Sequence, residues 1–155
     1  MAIPIGVDLT AALINNEFST LLTAFGNVAV VDTAESRTST AYGALTTAGP
    51  AVTLTSVGTR ALVFISFRGW DGTASSNIGA MGVVVSGATS IAANDSAALL
   101  LNGATGSSGG GIGVESGMMI PIAITPGSNT FTSVYKSASG SSFSFAHRKI
   151  TVFAP

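Results

Sequence analysis

The sequence contains no cysteine, which removes disulfide staples, thiolate catalysis and cysteine-ligated zinc together. It has a single histidine, His147, so a site of two or three histidines on one metal is excluded within one chain. Charge is scarce too: charged residues make up 8% of the chain, against roughly 25% in an average soluble domain. No basic stretch is longer than Arg148-Lys149, so the cations that neutralise phosphates in a nucleic-acid complex are missing. No apolar run approaches the roughly 20 residues of a membrane-spanning helix. Met1–Gly6 lacks the basic start of a secretory signal. The expectation is a protein without cofactor or metal, and without a nucleic-acid or membrane partner.

What is present is apolar and small. Hydrophobic residues reach 46%, with 19 glycines, in 155 residues. That length suits one domain with a short appendage and suffices for a sizeable core. So few charges protect a free monomer poorly against association. Burial of much of the surface against partners is therefore expected.

The first stretch differs from the rest. Asp8 can cap a helix starting near Leu9. Ile14, Phe18, Leu21, Leu22 and Phe25 follow the spacing of one apolar helical face, and Gly26-Asn27 is a stop signal. Residues 1–27 thus read as an arm carrying an amphipathic helix, with Ile14, Phe18, Leu22 and Phe25 as candidate interface anchors. The spacing leaves open whether that helix packs on its own domain or on a neighbour.

From residue 28 to 155 the pattern changes to strands. Val28–Val31 is a short apolar run, and Asp32–Ser39 reads as a polar loop. Ala41–Leu45 and Ala51–Thr55 follow as strands around a Gly49-Pro50 turn. In the second, Val52, Leu54 and Ser56 share one face and the threonines the other. Ala61–Phe67 is a strand and Gly69–Asn77 a polar loop. Ala80–Val85 and Ala97–Leu101 are further strands, and Asn102–Gly113 is a flexible Gly/Ser loop. Met118–Ile124 contains Pro121, which confines it to an edge or a bulge. Thr130–Tyr135, Phe143–Phe145 and Lys149–Phe153 complete the set. Short, evenly spaced strands with Gly, Pro and Ser turns predict an all-β fold, an antiparallel β-sandwich or jelly roll, with a short N-terminal helix.

Catalytic patterns are missing. His147 stands beside many serines, but no Gly-x-Ser-x-Gly elbow occurs, and it reads as a structural or surface histidine. Asp8, Glu17, Asp32, Glu35, Asp71, Asp95 and Glu115 are scattered. The glycines from Gly106 to Gly113 lack the Lys-Ser/Thr of a phosphate-binding loop. No enzyme is expected. Arg68-Gly69-Trp70-Asp71 holds the only tryptophan between charges of both signs. Arg68 and Trp70 are candidate interface residues, since Trp and Arg are favoured at binding hot spots. The competing reading places Trp70 on one end of the core, with Arg68 and Asp71 paired locally.

Several phrases together carry a resemblance. Tyr42-Gly43-Ala44-Leu45-Thr46-Thr47-Ala48-Gly49-Pro50 leads into Val52-Thr53-Leu54, then Ala61-Leu62-Val63 and Val85-Ser86-Gly87-Ala88-Thr89. Pro126-Gly127-Ser128-Asn129-Thr130-Phe131 and Tyr135 follow, and the end is Gly140, Phe143, Phe145, Arg148 and Ile150-Thr151-Val152. This succession, from Tyr42 to Val152, resembles small structural proteins of tailed bacteriophages. The resemblance implies a jelly-roll-like virion protein, often a homotrimer. Such a protein would cement or decorate the capsid surface by binding the major capsid protein. The alternative is a tail-fibre or receptor/glycan-binding head.

Overall fold

The computed structural model describes residues 27–71, 77–103 and 113–155. The N-terminal helix expected around residues 9–25, and most of the Gly/Ser loop, lie outside the described residues. Among the described residues nine strands form two antiparallel sheets: β1 (Asn27–Val31), β2 (Glu35–Arg37), β3 (Ala51–Ser56), β4 (Arg60–Asp71), β5 (Ile78–Gly87), β6 (Ala98–Asn102), β7 (Val114–Ala123), β8 (Gly127–Ser137) and β9 (Phe143–Phe153). The first sheet has the order β1-β9-β4-β7, with β2 also on β9; the second has the order β3-β8-β5-β6.

Pairing is nested. β1 joins β9, β3 joins β8, β4 joins β7 and β5 joins β6. With β1 and β2 taken as one interrupted strand, eight strands wind as a jelly roll. The fold is an all-β sandwich, as the strand periodicity predicts.

β4 shows why these residues form strands. Its burial alternates along the whole element, with Ala61, Val63, Ile65, Phe67, Gly69 and Asp71 inward and the residues between them outward. Each fully buried large apolar side chain contributes roughly 1.5–3 kcal/mol. Phe145 sits at the centre of an aromatic cluster, with ring centroids 5.2 Å from Phe67, 5.0 Å from Tyr135 and 5.1 Å from Phe143. These tilted contacts suit the ring quadrupoles. Gly79 is required beside Phe143, because a Cβ there would overlap its ring. Pro121 lies on β7, an edge strand, where its missing N–H breaks no ladder bond on the free side.

Four local expectations are corrected. The Asp32–Ser39 loop contains β2, three residues paired with Phe143–Phe145 of β9. Ala41–Leu45 is not a strand; only Gly43 bridges to Tyr135. The Arg37 guanidinium takes the Ala41 and Ala44 carbonyls, which therefore do not enter a ladder. β4 continues through Trp70 and Asp71, which pair with Ser144 and Phe143, so the polar loop does not begin at Gly69. Phe143–Phe145 and Lys149–Phe153 are two halves of one strand, β9, joined through a bulge.

Candidate functional site

The bulge organises the polar chemistry of the molecule. Ser66 faces Lys149 and Arg68 faces Ala146, so His147 and Arg148 together oppose Phe67. His147 takes a φ of 48°, the left-handed conformation found at the first position of a G1-type bulge. The extra residue reverses the strand's parity. Phe143 and Phe145 point inward before it, and Arg148, Ile150 and Val152 point inward after it.

Arg148 is in consequence fully buried. Its guanidinium donates to the Thr47 carbonyl at 3.3 Å and the Thr33 carbonyl at 3.1 Å. It lies 3.4 Å from a Glu35 carboxylate oxygen and 5.4 Å from the centre of the Tyr135 ring. Glu35 also accepts from the Thr47 hydroxyl at 2.7 Å and its N–H at 2.9 Å. The Thr47 hydroxyl is the main reason its carboxyl is held below the usual glutamate range, with the Thr47 amide and Arg148 adding to the effect. The Tyr135 hydroxyl donates to the Gly49 carbonyl at 2.9 Å. This network ties the Thr33–Gly49 segment to the sandwich. Arg148 and Lys149 therefore do not form a surface patch: one points inward and the other outward.

On the outer side of the bulge a depression of about 340 Å³ is lined by Val30, Asp32, Glu115, His147 and Lys149. His147 Nδ1 meets Asp32 Oδ1 at 3.4 Å, long for a hydrogen bond, and both side chains are exposed. Among the described residues no hydroxyl hydrogen-bonds to His147. Among the described residues no three His, Cys, Asp or Glu side chains converge as a metal site. A second groove, of about 200 Å³, follows the open side of the sandwich between β7 and the Ile91–Ala97 segment, and it is mostly apolar.

Of the candidate interface residues, Ile14, Phe18, Leu22 and Phe25 lie outside the described residues. Arg68 and Trp70 are brought together on the outer face of the first sheet by the alternation of β4. Trp70 thus does not cap the core, and Arg68 and Asp71 point to opposite faces. Directly across the ladder from Arg68 is Glu115.

The outer face of the second sheet was not singled out from the sequence. It presents Thr53 and Thr55 on β3, Ser128, Thr130 and Thr132 on β8, and Val84 and Ser86 on β5, in cross-strand rows without a charge. The Thr53 and Thr130 hydroxyls bond across the ladder at 2.8 Å. The alternation of Val52, Leu54 and Ser56 with threonines carried the signal for β3; which strands lie beside it is a matter of topology. Further along β8, Lys136 meets Asp95 at 2.7 Å, and Asp95 accepts from the Tyr42 hydroxyl at 2.9 Å. Lys136, and after it Tyr42, hold the Asp95 carboxyl below its usual range.

Neither a protein-family model nor a curated protein sequence matches the chain.

Proposed function

We propose that this chain is a non-enzymatic structural protein of a phage virion, a cement or decoration subunit that binds the major capsid protein lattice at the capsid surface. The observation that carries this reading is the uncharged, hydroxyl-bearing outer face of β3, β8 and β5. Apposing such a face to a partner removes no ion from water, so it avoids the penalty that opposes burial of charge. Two ion pairs are closed within the chain, Arg148 with Glu35 and Lys136 with Asp95. A jelly roll is a rigid frame used in capsid domains, though also in lectins and cupins, so fold alone does not choose among them. The phrases from Tyr42 to Val152 that resemble phage structural proteins favour the virion, and with it a homotrimer. Repeated copies on a lattice make weak single contacts effective by avidity.

The test is co-sedimentation of the purified protein with empty capsids assembled without it, followed by imaging. Wild-type protein is expected on the capsid surface, and the double variant Thr53→Glu, Thr130→Glu is expected to remain folded and unbound. Protein found only at the tail would replace this reading with a fibre or receptor-binding head.

A further inference from the structure

The sandwich carries an apolar knob on one side and an apolar hollow on the other. β1 and β3 stand together at the first side, β6 and β7 at the second. The turn that leaves β3 bears Val57, which at 85% exposure is the barest large hydrophobic side chain among the described residues. That turn is firmly held. The N–H groups of Val57 and Gly58 both donate to the Pro155 carbonyl, at 3.0 and 2.7 Å. Gly58 lies so close to Pro155 that a Cβ there would stand 3.0 Å from the proline ring. The second side holds the groove of about 200 Å³ beside β7. Val83 and Ile120 are its buried lining, with Ile91, Ala97 and Ile122 half-buried around them. Its walls are fixed as well, β7 by the ladder to β4 and Ile91 by two backbone hydrogen bonds to Val85, each 3.0 Å.

We infer that Val57 of one copy of this chain seats in the groove of a second copy. Three observations select this occupant. The first is fit. The groove is several times the volume of about 30 Å³ that one water takes up, so it admits a branched aliphatic side chain. A knob and a hollow that are both rigid beforehand lose little freedom on meeting. The second is level. Arg60 pairs with Ala123, and the Thr59 carbonyl accepts from the Ile124 N–H at 3.0 Å. The turn of Val57 and the Ala123 end of the groove therefore lie at the same end of the sandwich. A rotation about an axis along the strands, without a shift along it, carries one to the other. A head-to-tail contact of that kind closes a ring instead of growing a filament. The third is charge. No charged residue lines the groove, and none occurs in Ser56-Val57-Gly58-Thr59. The charges that flank the two are opposite in sign: Arg60 follows the knob, and Asp95 lies in the Ile91–Ala97 wall, its side chain 59% exposed. The contact deepens the homotrimer of the proposed function by naming its surfaces, and it rests on that reading for the number three alone.

The test is self-association of the full chain, followed by analytical ultracentrifugation. Val57→Asp is expected to raise the concentration needed for half assembly at least about tenfold, with circular dichroism unchanged, since the position is exposed within one copy. Val57→Ile is expected to assemble like the parent. A parent protein that stays monomeric, or a Val57→Asp protein that assembles as well as the parent, would overturn the inference. The absence of native cysteine allows a second measurement. Two differently tagged copies are co-expressed, one with Val57→Cys and the other with Ala123→Cys, at the rim of the groove. Mild oxidation is expected to join the two tags. Val57→Cys opposite Val28→Cys, which is 53% exposed but remote from the groove, is the control and is expected to stay unjoined. Equal yields from the two pairs would also overturn the inference. The readouts are separate: self-association decides this contact, and co-sedimentation with capsids decides the proposed function.

Discussion

Arg148 and Glu35 meet at 3.4 Å because β9 carries one residue more than β4 requires. The guanidinium is fully buried, and its partners are two carbonyls, one carboxylate and the face of one aromatic ring. Breaking a buried pair from one side costs about 3–5 kcal/mol, since the stranded groups lose water as well as their partner. Glu35 retains some exposure and keeps Thr47, so Arg148→Met is expected to cost about 3 kcal/mol. Urea unfolding should show a lower midpoint with an unchanged slope. A loss below about 1 kcal/mol would mean that the network does not anchor the Thr33–Gly49 segment.

Glu35 sets a sign for the acid side. Its carboxyl is held below the usual glutamate value of 4.5, mainly by the Thr47 hydroxyl. A depressed folded value means that the stabilisation is present above the unfolded value and is lost as pH falls through the folded one. The midpoint should therefore decline as pH falls below the ordinary carboxylate range. Glu35→Gln should be less stable than the parent at neutral pH, and its decline in acid should be shallower. Parallel acid titrations of the two proteins would expose a mistaken assignment.

The alkaline side is set by tyrosines. The chain has two, Tyr42 and Tyr135. Both hydroxyls are pushed well above the ordinary value of 10.0, chiefly by burial; at Tyr42 the hydrogen bond to Asp95 adds to the effect. Raised folded values mean stability that is complete below the unfolded value and is lost as pH rises through the folded one. Native protein should show no tyrosinate absorbance at the pH where the denatured chain is half ionised. Its tyrosines should ionise together with unfolding. A tyrosine titrating normally in the folded protein would contradict the burial of that ring.

Much of the sandwich was legible because β-structure writes itself in alternation. Val63, Ile65 and Phe67 declare β4, and Pro121 declares an edge. What escaped was decided by partners distant in sequence. β2 is too short and polar to announce itself and exists because Ser36 finds Ser144 across the ladder, at 2.9 Å. Ala41–Leu45 has the composition of a strand but gives carbonyls to Arg37. Trp70 looked like the start of a loop because Gly69 and Asp71 flank it, yet both flanking residues point into the sandwich. The uncharged threonine face is invisible until β3, β8 and β5 are set side by side. Arg148 left one trace: inward residues are odd-numbered at Phe143 and Phe145, and even-numbered at Ile150 and Val152. That change of parity within one run is the signature of a bulge.

The parity change leads to a deletion experiment. A one-residue slip in a strand normally sends every inward side chain to the wrong face. His147 is the exception in β9, because it is the extra residue. If it is removed, Ala146 still faces Arg68, Arg148 faces Phe67 alone, and Lys149 still faces Ser66. The alternation then runs without interruption from Phe143 to Phe153, with Phe143, Phe145, Arg148, Ile150 and Val152 inward. The deletion also removes a residue at a φ of 48° and an exposed contact with Asp32. The first relieves strain of order 1–3 kcal/mol, while an exposed pair contributes about 0–1 kcal/mol. Against this stands the other edge, where Asp32, Thr33 and Ala34 bridge from β1 to β2 opposite the bulge and must readjust. The His147 deletion should therefore fold, within about 2 kcal/mol of the parent. Deletion of Thr151, four residues on, should leave the chain unfolded, because it reverses Val152 and Phe153 against Val63 and Leu62. Circular dichroism and urea midpoints of the two deletions decide the matter. An unfolded His147 deletion beside a folded Thr151 deletion would show that the bulge is not where the parity turns.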